Sequence, residues 1–145
     1  MLCHAAHQRI ESAGKTIDEI GDKYDGYLLG DDPKTGFAAH SQSAEAAVRK
    51  VTDLNNIVHL TYGDFSASDY LKHITCYRGF RTYTLAKFIG VDVTMPSQLV
   101  DGLWEEVVPE VDNWRAMGVF GPAIKVPEDA DKQTKLLGIT GFLQS

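Results

Sequence analysis

The chain has 145 residues, which is the size of one ordinary domain and is long enough to bury a hydrophobic core without disulfides or metals. It carries 14 Lys and Arg against 20 Asp and Glu, and this net charge of −6 argues against nucleic acid or an anionic membrane surface as partner, because both are bound through clustered basic residues. The composition, 43% hydrophobic and 23% charged, is that of a globular protein, and there is no apolar run of about 20 residues that would span a membrane.

Neither the start of the chain nor its cysteines indicates secretion. Residues 1–15 lack the apolar core that follows the basic end of a secretory signal. Cys3 and Cys76 are too few for a disulfide framework, and neither belongs to a CxxC pair that would indicate zinc or redox chemistry. We therefore expect a cytoplasmic protein.

The first third of the sequence predicts two helices joined by a loop. Apolar residues recur every three or four positions from the first residue to about Ile20, which is typical of an amphipathic helix. Gly and Asp interrupt this pattern over residues 21–34. Pro33 suits the first turn of a second helix, which we expect from about Asp32 to Val51. Its apolar positions are Phe37, Ala44, Ala47 and Val48.

A short extended segment follows the second helix. Residues 57–62 are rich in β-branched side chains and alternate in polarity, which fits a strand better than a helix. Gly63 and Asp64 then predict a turn that ends this strand. We expect it to be the one extended element of an otherwise helical protein.

The longest predicted element is a helix that begins near residue 67. Ser66 or Ser68 is expected to cap it, with Asp69 in the first turn, where the helix dipole favours an acid. It should run to about Ile89 and end at Gly90 as the residue beyond its C-cap. Its broad apolar set predicts burial on more than one side: Tyr70, Leu71, Ile74, Tyr77, Phe80, Leu85, Phe88 and Ile89.

The C-terminal part predicts a further amphipathic helix, a loop and a short last helix. Pro96 is expected at the first helical position, and the apolar face continues to about Met117. Pro109 falls inside this pattern and should kink or split the helix, because proline lacks an N–H and crowds the preceding turn. Residues 118–131 form the loop, and the last helix should cover about residues 132–139. No repeat or linker divides the chain, so we predict one mainly α domain over residues 1–145.

Three side chains on the long helix are candidates for chemistry. His73, Tyr77 and Arg81 are four residues apart and therefore lie along one helical face. If this face points into the protein, it presents groups that form hydrogen bonds, carry charge or transfer protons, and a buried Arg requires a partner or a cavity. The alternative, which the pattern leaves open, is that Arg81 reaches a surface carboxylate and Tyr77 belongs to the core.

The N-terminal histidines are candidates of a weaker kind. His4 and His7 share a helical face and could ligate a metal, but such a site needs a third ligand. His40 and His59 are interpreted as structural or solvated. The sequence contains neither GxGxxG after a strand, GxxxxGK[ST] nor GxSxG, which excludes dinucleotide chemistry and hydrolysis by an elbow serine.

The C-terminal two thirds of the chain resemble the actinobacterial branch of the DinB-like superfamily, which is related to the mycothiol-dependent maleylpyruvate isomerases. One matching phrase, GDFxAxxYL, runs from Gly63 to Leu71. A second and more specific one, GxFGPxxxVPxDAD, covers residues 118–131, and a closing KLLxxxG covers residues 135–141. The resemblance implies an up-down four-helix bundle, with the short extended segment, the C-terminal loop and the short last helix attached to it.

The resemblance also implies a metal site in the bundle core, used by many members to activate a thiol or a water. The first ligand of the family matches His4, but the other two ligand positions carry Tyr77 and Arg81. Arg stays protonated and repels a divalent ion, so we expect a degenerate metal site without zinc or nickel. If a metal bound, His4 and His7 would hold it. The closing Arg of the family is Phe142 here.

What the resemblance then implies is a metal-independent protein without a cofactor that binds an anionic small molecule in the bundle core. Arg81 would anchor the anion, and Tyr77 or His4 would donate or accept a proton in an isomerase or lyase type of reaction. The further ligand-binding candidates are His73, His7 and Tyr83. Two alternatives stay open: a non-catalytic binding or interaction subunit, and a metal-dependent mycothiol transferase or isomerase.

The length has a further consequence under this resemblance. Members of the family place one helix before the helix that carries the first ligand, whereas His4 lies near the start of this chain. The chain would then be short by one bundle helix, which would leave an apolar seam on the remaining three. Because an exposed patch of that size usually marks an interface, we predict a homodimer or a partner chain that covers the seam.

Overall fold

The structure is a computed structural model of the chain, and it describes residues 15–22, 26–60 and 62–143. Over these residues the protein is mainly helical with a small two-stranded sheet, which confirms the predicted fold class at this coarse level. Within the same ranges, no helix has the length and apolar character needed to cross a membrane. The chain divides into two compact units, unit 1 (Met1–Ile74) and unit 2 (Thr75–Ser145). The single domain expected over residues 1–145 stays a prediction.

The first described helix of unit 1, α1 (Ile17–Ile20), begins at a capping box. The Thr16 hydroxyl accepts the Glu19 N–H at 3.3 Å, and the Glu19 carboxylate accepts the Thr16 N–H at 2.7 Å. Thr16 has extended backbone angles, so the prediction of one continuous helix to Ile20 is wrong at this point. The earlier part of that predicted helix, with His4 and His7, lies outside the described residues.

Helix α2 (Pro33–Arg49) confirms the second predicted helix. Asp32 is its N-cap and accepts the N–H groups of Lys34 and Thr35 at 3.1 and 3.3 Å. Of the predicted apolar positions, Ala44 and Ala47 are buried, whereas Phe37 and Val48 are exposed.

The extended segment is half of a β-hairpin. Strand β1 (Ile57–Leu60) pairs in antiparallel fashion with β2 (Gly63–Ser66), and Leu60 lies opposite Gly63. Gly63 and Asp64 therefore begin a second strand, and the turn predicted at these two residues is wrong. Gly63 has a φ of 141°, so the glycine that suggested a turn instead supplies an unusual backbone angle at the strand start.

The hairpin packs against the start of helix α3 (Ala67–Phe88). Ser66 caps this helix, because its hydroxyl accepts the Asp69 N–H at 3.0 Å and donates to the Asp69 carboxylate at 2.8 Å. The buried core of unit 1 that includes this junction is formed by Val58, Leu60, Ala67, Tyr70 and Ile74. The GDFxAxxYL phrase thus builds β2, the cap and the first turn of α3.

Unit 2 contains the rest of α3, which ends as predicted. Gly90 has a φ of 73° and donates its N–H to the Lys87 carbonyl at 3.1 Å. The Val91 N–H reaches the Ala86 carbonyl at 2.8 Å, which completes a Schellman motif. The further helices of this unit are α4 (Ser97–Val107), a 3₁₀ turn (Val108–Glu110), α5 (Val111–Ala116) and α6 (Lys132–Thr140).

The two prolines of this region behave differently from one another. Pro109 lies in the 3₁₀ turn and splits the amphipathic stretch into α4 and α5, which confirms the prediction. Pro96 is the N-cap of α4 with a ψ of 137°, so the prediction that it occupies the first helical position is wrong by one residue.

The core of unit 2 is rich in aromatic rings. Phe80 stacks on Phe142 with ring centres 4.8 Å apart, and Phe120 meets both rings edge-on. Each pair adds about 0.5–1.5 kcal/mol beyond the burial of apolar area. The same core includes Leu103, Val107, Leu136 and Leu137, which are almost completely buried.

The loop between α5 and α6 is tied to the last helix. The Arg115 guanidinium donates to the carbonyls of Gly121 at 3.0 Å and Ile139 at 2.6 Å. The Ile124 N–H donates to the Gly138 carbonyl at 2.8 Å. The most specific part of the resemblance, GxFGPxxxVPxDAD, therefore forms a fixed part of the scaffold.

Candidate functional site

Two of the predicted site residues, Tyr77 and Arg81, are in contact in unit 2. The guanidinium carbon of Arg81 lies 5.3 Å from the centre of the Tyr77 ring, which is a cation–π contact between successive turns of α3. Tyr77 is 38% exposed and Arg81 is also exposed. A contact of this kind at the surface stabilises the pair by about 0.5–1 kcal/mol.

Arg81 differs from the paired arginines of the protein. Arg49 binds Glu45 at 2.7 Å, and Arg115 forms an ion pair with Asp112, whereas Arg81 has no carboxylate partner among the residues that the structure describes. An Arg that stacks on an aromatic ring keeps the edge of its planar N–H fork available for a carboxylate or phosphate. Arg81 can therefore bind a carboxylate or phosphate group that does not belong to the described residues.

Large apolar side chains continue this face of α3 toward the helix end. Leu85 and Ile89 are exposed, and Phe88 is 88% exposed. We call Tyr77, Arg81, Leu85, Phe88 and Ile89 the exposed α3 face. The burial predicted for its apolar members is wrong, because α3 turns other side chains into the core of unit 2: Cys76, Gly79, Phe80, Tyr83 and Ala86.

The remaining predicted site residues lie apart from the Tyr77 and Arg81 pair. Tyr83 is buried with the core of unit 2, on a different side of α3 from Arg81. His73 belongs to unit 1, where it is half-buried and meets Phe65 edge-on with ring centres 5.0 Å apart. His4 and His7 lie outside the described residues. The proposed roles of these four residues in ligand binding or proton transfer stay predictions.

The side chains at two of the implied metal-ligand positions do not fit a divalent ion. Arg81 offers only N–H donors and a permanent positive charge, and it places that charge against the Tyr77 ring. Among the residues described, no three His, Cys, Asp or Glu side chains come together as a metal site.

Sequence reasoning missed one polar pair because it missed a strand. His59 lies opposite Asp64 in the hairpin, and its Nδ1 is 2.8 Å from the Asp64 carboxylate. The sequence predicted His59 to be structural or solvated and named no partner for it, because its neighbour on the other strand is known only once the strand register is known. His40, interpreted in the same way, donates from Nε2 to the Leu28 carbonyl at 2.8 Å.

Among the residues that the structure describes, three exposed carboxyl groups have a lowered pKa, and each belongs to a helix start rather than to the exposed α3 face. They are Glu19, Asp32 and Asp131, at the starts of α1, α2 and α6. For Asp32 and Asp131 the main cause is a hydrogen bond from the hydroxyl of the threonine three residues later, followed by the N–H of that threonine. These groups stabilise helices and are not part of the candidate site.

Comparisons of the chain with protein-family models, with curated proteins and with solved structures found no match. No relative therefore assigns a role to Tyr77 or Arg81. The DinB-like bundle and the function that it implies rest on the resemblance of the sequence motifs alone.

Proposed function

We propose that this protein is a non-catalytic interaction subunit with a DinB-like helical bundle, and that it binds a partner through the exposed α3 face. One observation carries this proposal: Leu85 and Phe88 on the last turns of α3, and Ile89 directly after it, are large, apolar and exposed. Single exposed apolar residues are ordinary, but several on one face mark an interaction site.

The loss of the family's polar groups supports a binding role over catalysis. Where the family has two metal ligands, this chain has Tyr77 and Arg81 in contact with each other at the surface. Where the family has its closing Arg, this chain has Phe142, which stacks on Phe80 in a core. These replacements keep packing and remove ligands, as expected when a scaffold is retained for an interface.

The partner expected from the resemblance is a second copy or another chain that supplies the missing bundle helix. Site-specific photo-crosslinking in the native host tests whether the exposed α3 face is covered, with benzoylphenylalanine in place of Phe88. We expect one dominant crosslinked product. The matched control is the same replacement at Met117, which is 70% exposed and lies outside α3. Equal crosslinking at both positions would contradict the proposal.

A second candidate function is metal-independent binding of an anionic small molecule. Arg81 favours it, because its guanidinium stacks on Tyr77 and has no carboxylate partner within the described ranges. In this version Arg81 anchors the anion, and proton transfer by Tyr77 or His4 would make the protein an isomerase or lyase. Thermal shift against a panel of small carboxylates and phosphates tests it. We expect any stabilisation to be lost in Arg81→Met and kept in Arg49→Met, whose native side chain already binds Glu45.

The same thermal-shift panel, extended to zinc and nickel, tests the expected absence of a metal cofactor. We expect no stabilisation by either ion, because Arg81 stands at one of the implied ligand positions. A clear rise in Tm with zinc or nickel that disappears in a His4→Ala, His7→Ala double variant would contradict this and favour the metal-dependent transferase.

A further inference from the structure

The local charge of α3 is opposite to that of the whole protein. From Tyr70 to Phe88 the helix carries four basic residues and no Asp or Glu, although the chain as a whole has a net charge of −6. The four are Lys72, Arg78, Arg81 and Lys87. Of these four, Arg81 belongs to the exposed α3 face, whereas Lys87 already lies 3.8 Å from the carboxylate of Asp92. Arg81 therefore supplies the positive charge that a partner meets on this face.

The exposed α3 face has the spacing of a helix-binding surface. Tyr77, Arg81, Leu85 and Phe88 follow one another at intervals of four, four and three residues and so extend over about 16 Å of helix. Arg81 lies between two turns that present apolar side chains, and its stacking on Tyr77 holds the guanidinium on this face. A partner helix with apolar anchors on successive turns matches such a surface.

We propose that the exposed α3 face binds an acidic amphipathic helix of another protein. The apolar side chains of that helix would cover Leu85 and Phe88, and one of its carboxylates would pair with Arg81. This inference rests on the proposed interaction function and adds the chemistry of the partner. A symmetric pairing of α3 with α3 of a second copy is unfavourable, because it would place the Arg81 cations of the two copies in one interface with no carboxylate from either face.

Fluorescence anisotropy with the full chain tests this proposal through two labelled synthetic peptides. Both are helical with leucines at the same heptad positions, and the flanking positions carry Glu in one and Lys in the other. We expect micromolar binding of the Glu peptide and binding of the Lys peptide weaker by about tenfold or more. Binding of the Glu peptide should weaken when salt rises from about 50 mM to about 500 mM, as screening reduces the attraction.

Exposed-residue variants locate the contact. We expect Phe88→Ala to weaken binding of the Glu peptide by about tenfold, and Arg81→Gln to weaken it by about five- to tenfold. Arg81→Gln should change binding of the Lys peptide little. The controls Met117→Ala and Arg49→Gln should bind like the original chain, because these exposed side chains lie outside the exposed α3 face.

Equal binding of both peptides, or no effect of Arg81→Gln on binding of the Glu peptide, would overturn the inference. It would also be overturned if the protein co-sedimented with phosphatidylserine vesicles but bound neither peptide. A stable dimer at micromolar concentration that Phe88→Ala dissociates would overturn it as well. If Phe88 crosslinks to a partner but the peptides are not discriminated, the inference fails and the interaction function stands. If Phe88 and Met117 crosslink equally, both fail.

Discussion

Gly138 is buried in α6 because the preceding loop packs directly on its backbone. A Cβ added there would lie 2.8 Å from Cγ1 of Val126 and 2.9 Å from the carbonyl oxygen of Ile124. The Ile124 N–H already donates to the Gly138 carbonyl, so the two segments cannot easily separate. The close approach of loop and helix therefore requires glycine at this position.

Replacing a helical glycine by alanine usually stabilises a protein, and we predict the opposite effect at Gly138. Gly138→Ala should lower the free energy of unfolding by about 1–3 kcal/mol, since the added methyl group forces the loop away. Gly102→Ala is the control, because its Cβ would meet nothing within 4 Å in α4. That variant should raise the free energy of unfolding by about 0.5–1 kcal/mol. Urea denaturation measures both, and equal signs would contradict the packing of the loop on Gly138.

Individual residues also show where sequence reasoning reached its limit. The pairing of Arg81 with Tyr77 follows from their four-residue spacing, and the contact is present. The exposure of this pair could not be predicted, because helical periodicity gives the relative angles of side chains around the axis but not which side of the helix faces the core. Tyr83 and Cys76 occupy the buried side, and only the packed structure reveals this choice.

At the scale of elements, local chemistry predicted helix ends better than strands. Ser66, Gly90 and Pro109 each act through their own backbone or nearest neighbours, and all three predictions are confirmed. The second strand was missed because β2 is only four residues long and begins with Gly63. A strand that short is defined by its pairing with β1, which a linear pattern does not contain.

The start of α6 gives a prediction for pH dependence. The carboxylate of Asp131 accepts the Thr134 hydroxyl and N–H at 2.7 and 2.9 Å, and these bonds lower its pKa from the ordinary value of 3.8. Because the folded pKa is the lower one, the stabilisation is fully present above the unfolded pKa and is lost as the pH falls through the folded value. Asp131→Asn should retain a capping oxygen but lose this dependence on pH.

The measurement is urea denaturation of both chains from about pH 5 to about pH 2, where carboxylates of this kind titrate. The difference in stability between the original chain and Asp131→Asn should shrink or change sign at the acid end. Asp131→Ala is the control that lacks the cap, and it should be less stable than Asp131→Asn throughout the range. Parallel pH profiles for the original chain and Asp131→Asn would contradict the prediction.

At the scale of the whole molecule, the net charge and the charge of the exposed α3 face have opposite signs. The net charge of −6 argues against a polyanionic partner, and that stays a prediction, yet the same sum conceals a helix with four basic residues and no acid after Asp69. Composition averages over surfaces, whereas a partner meets only one of them. The exposed α3 face thus became visible only when burial was known for each residue.

The last prediction concerns whether the two compact units unfold as one domain. Leu136 is completely buried in the core of unit 2, so Leu136→Ala should lower the free energy of unfolding of that core by about 2–5 kcal/mol. Unit 1 has a separate buried core, with Val58 and Leu60 from the hairpin. Native-state hydrogen exchange should therefore show a larger loss of protection in α4 and α6 than in β1 and β2.

Val58→Ala is the matched variant and should give the opposite pattern. Equal losses across both units, from either variant, would mean that the chain unfolds cooperatively as the single domain that its length predicts.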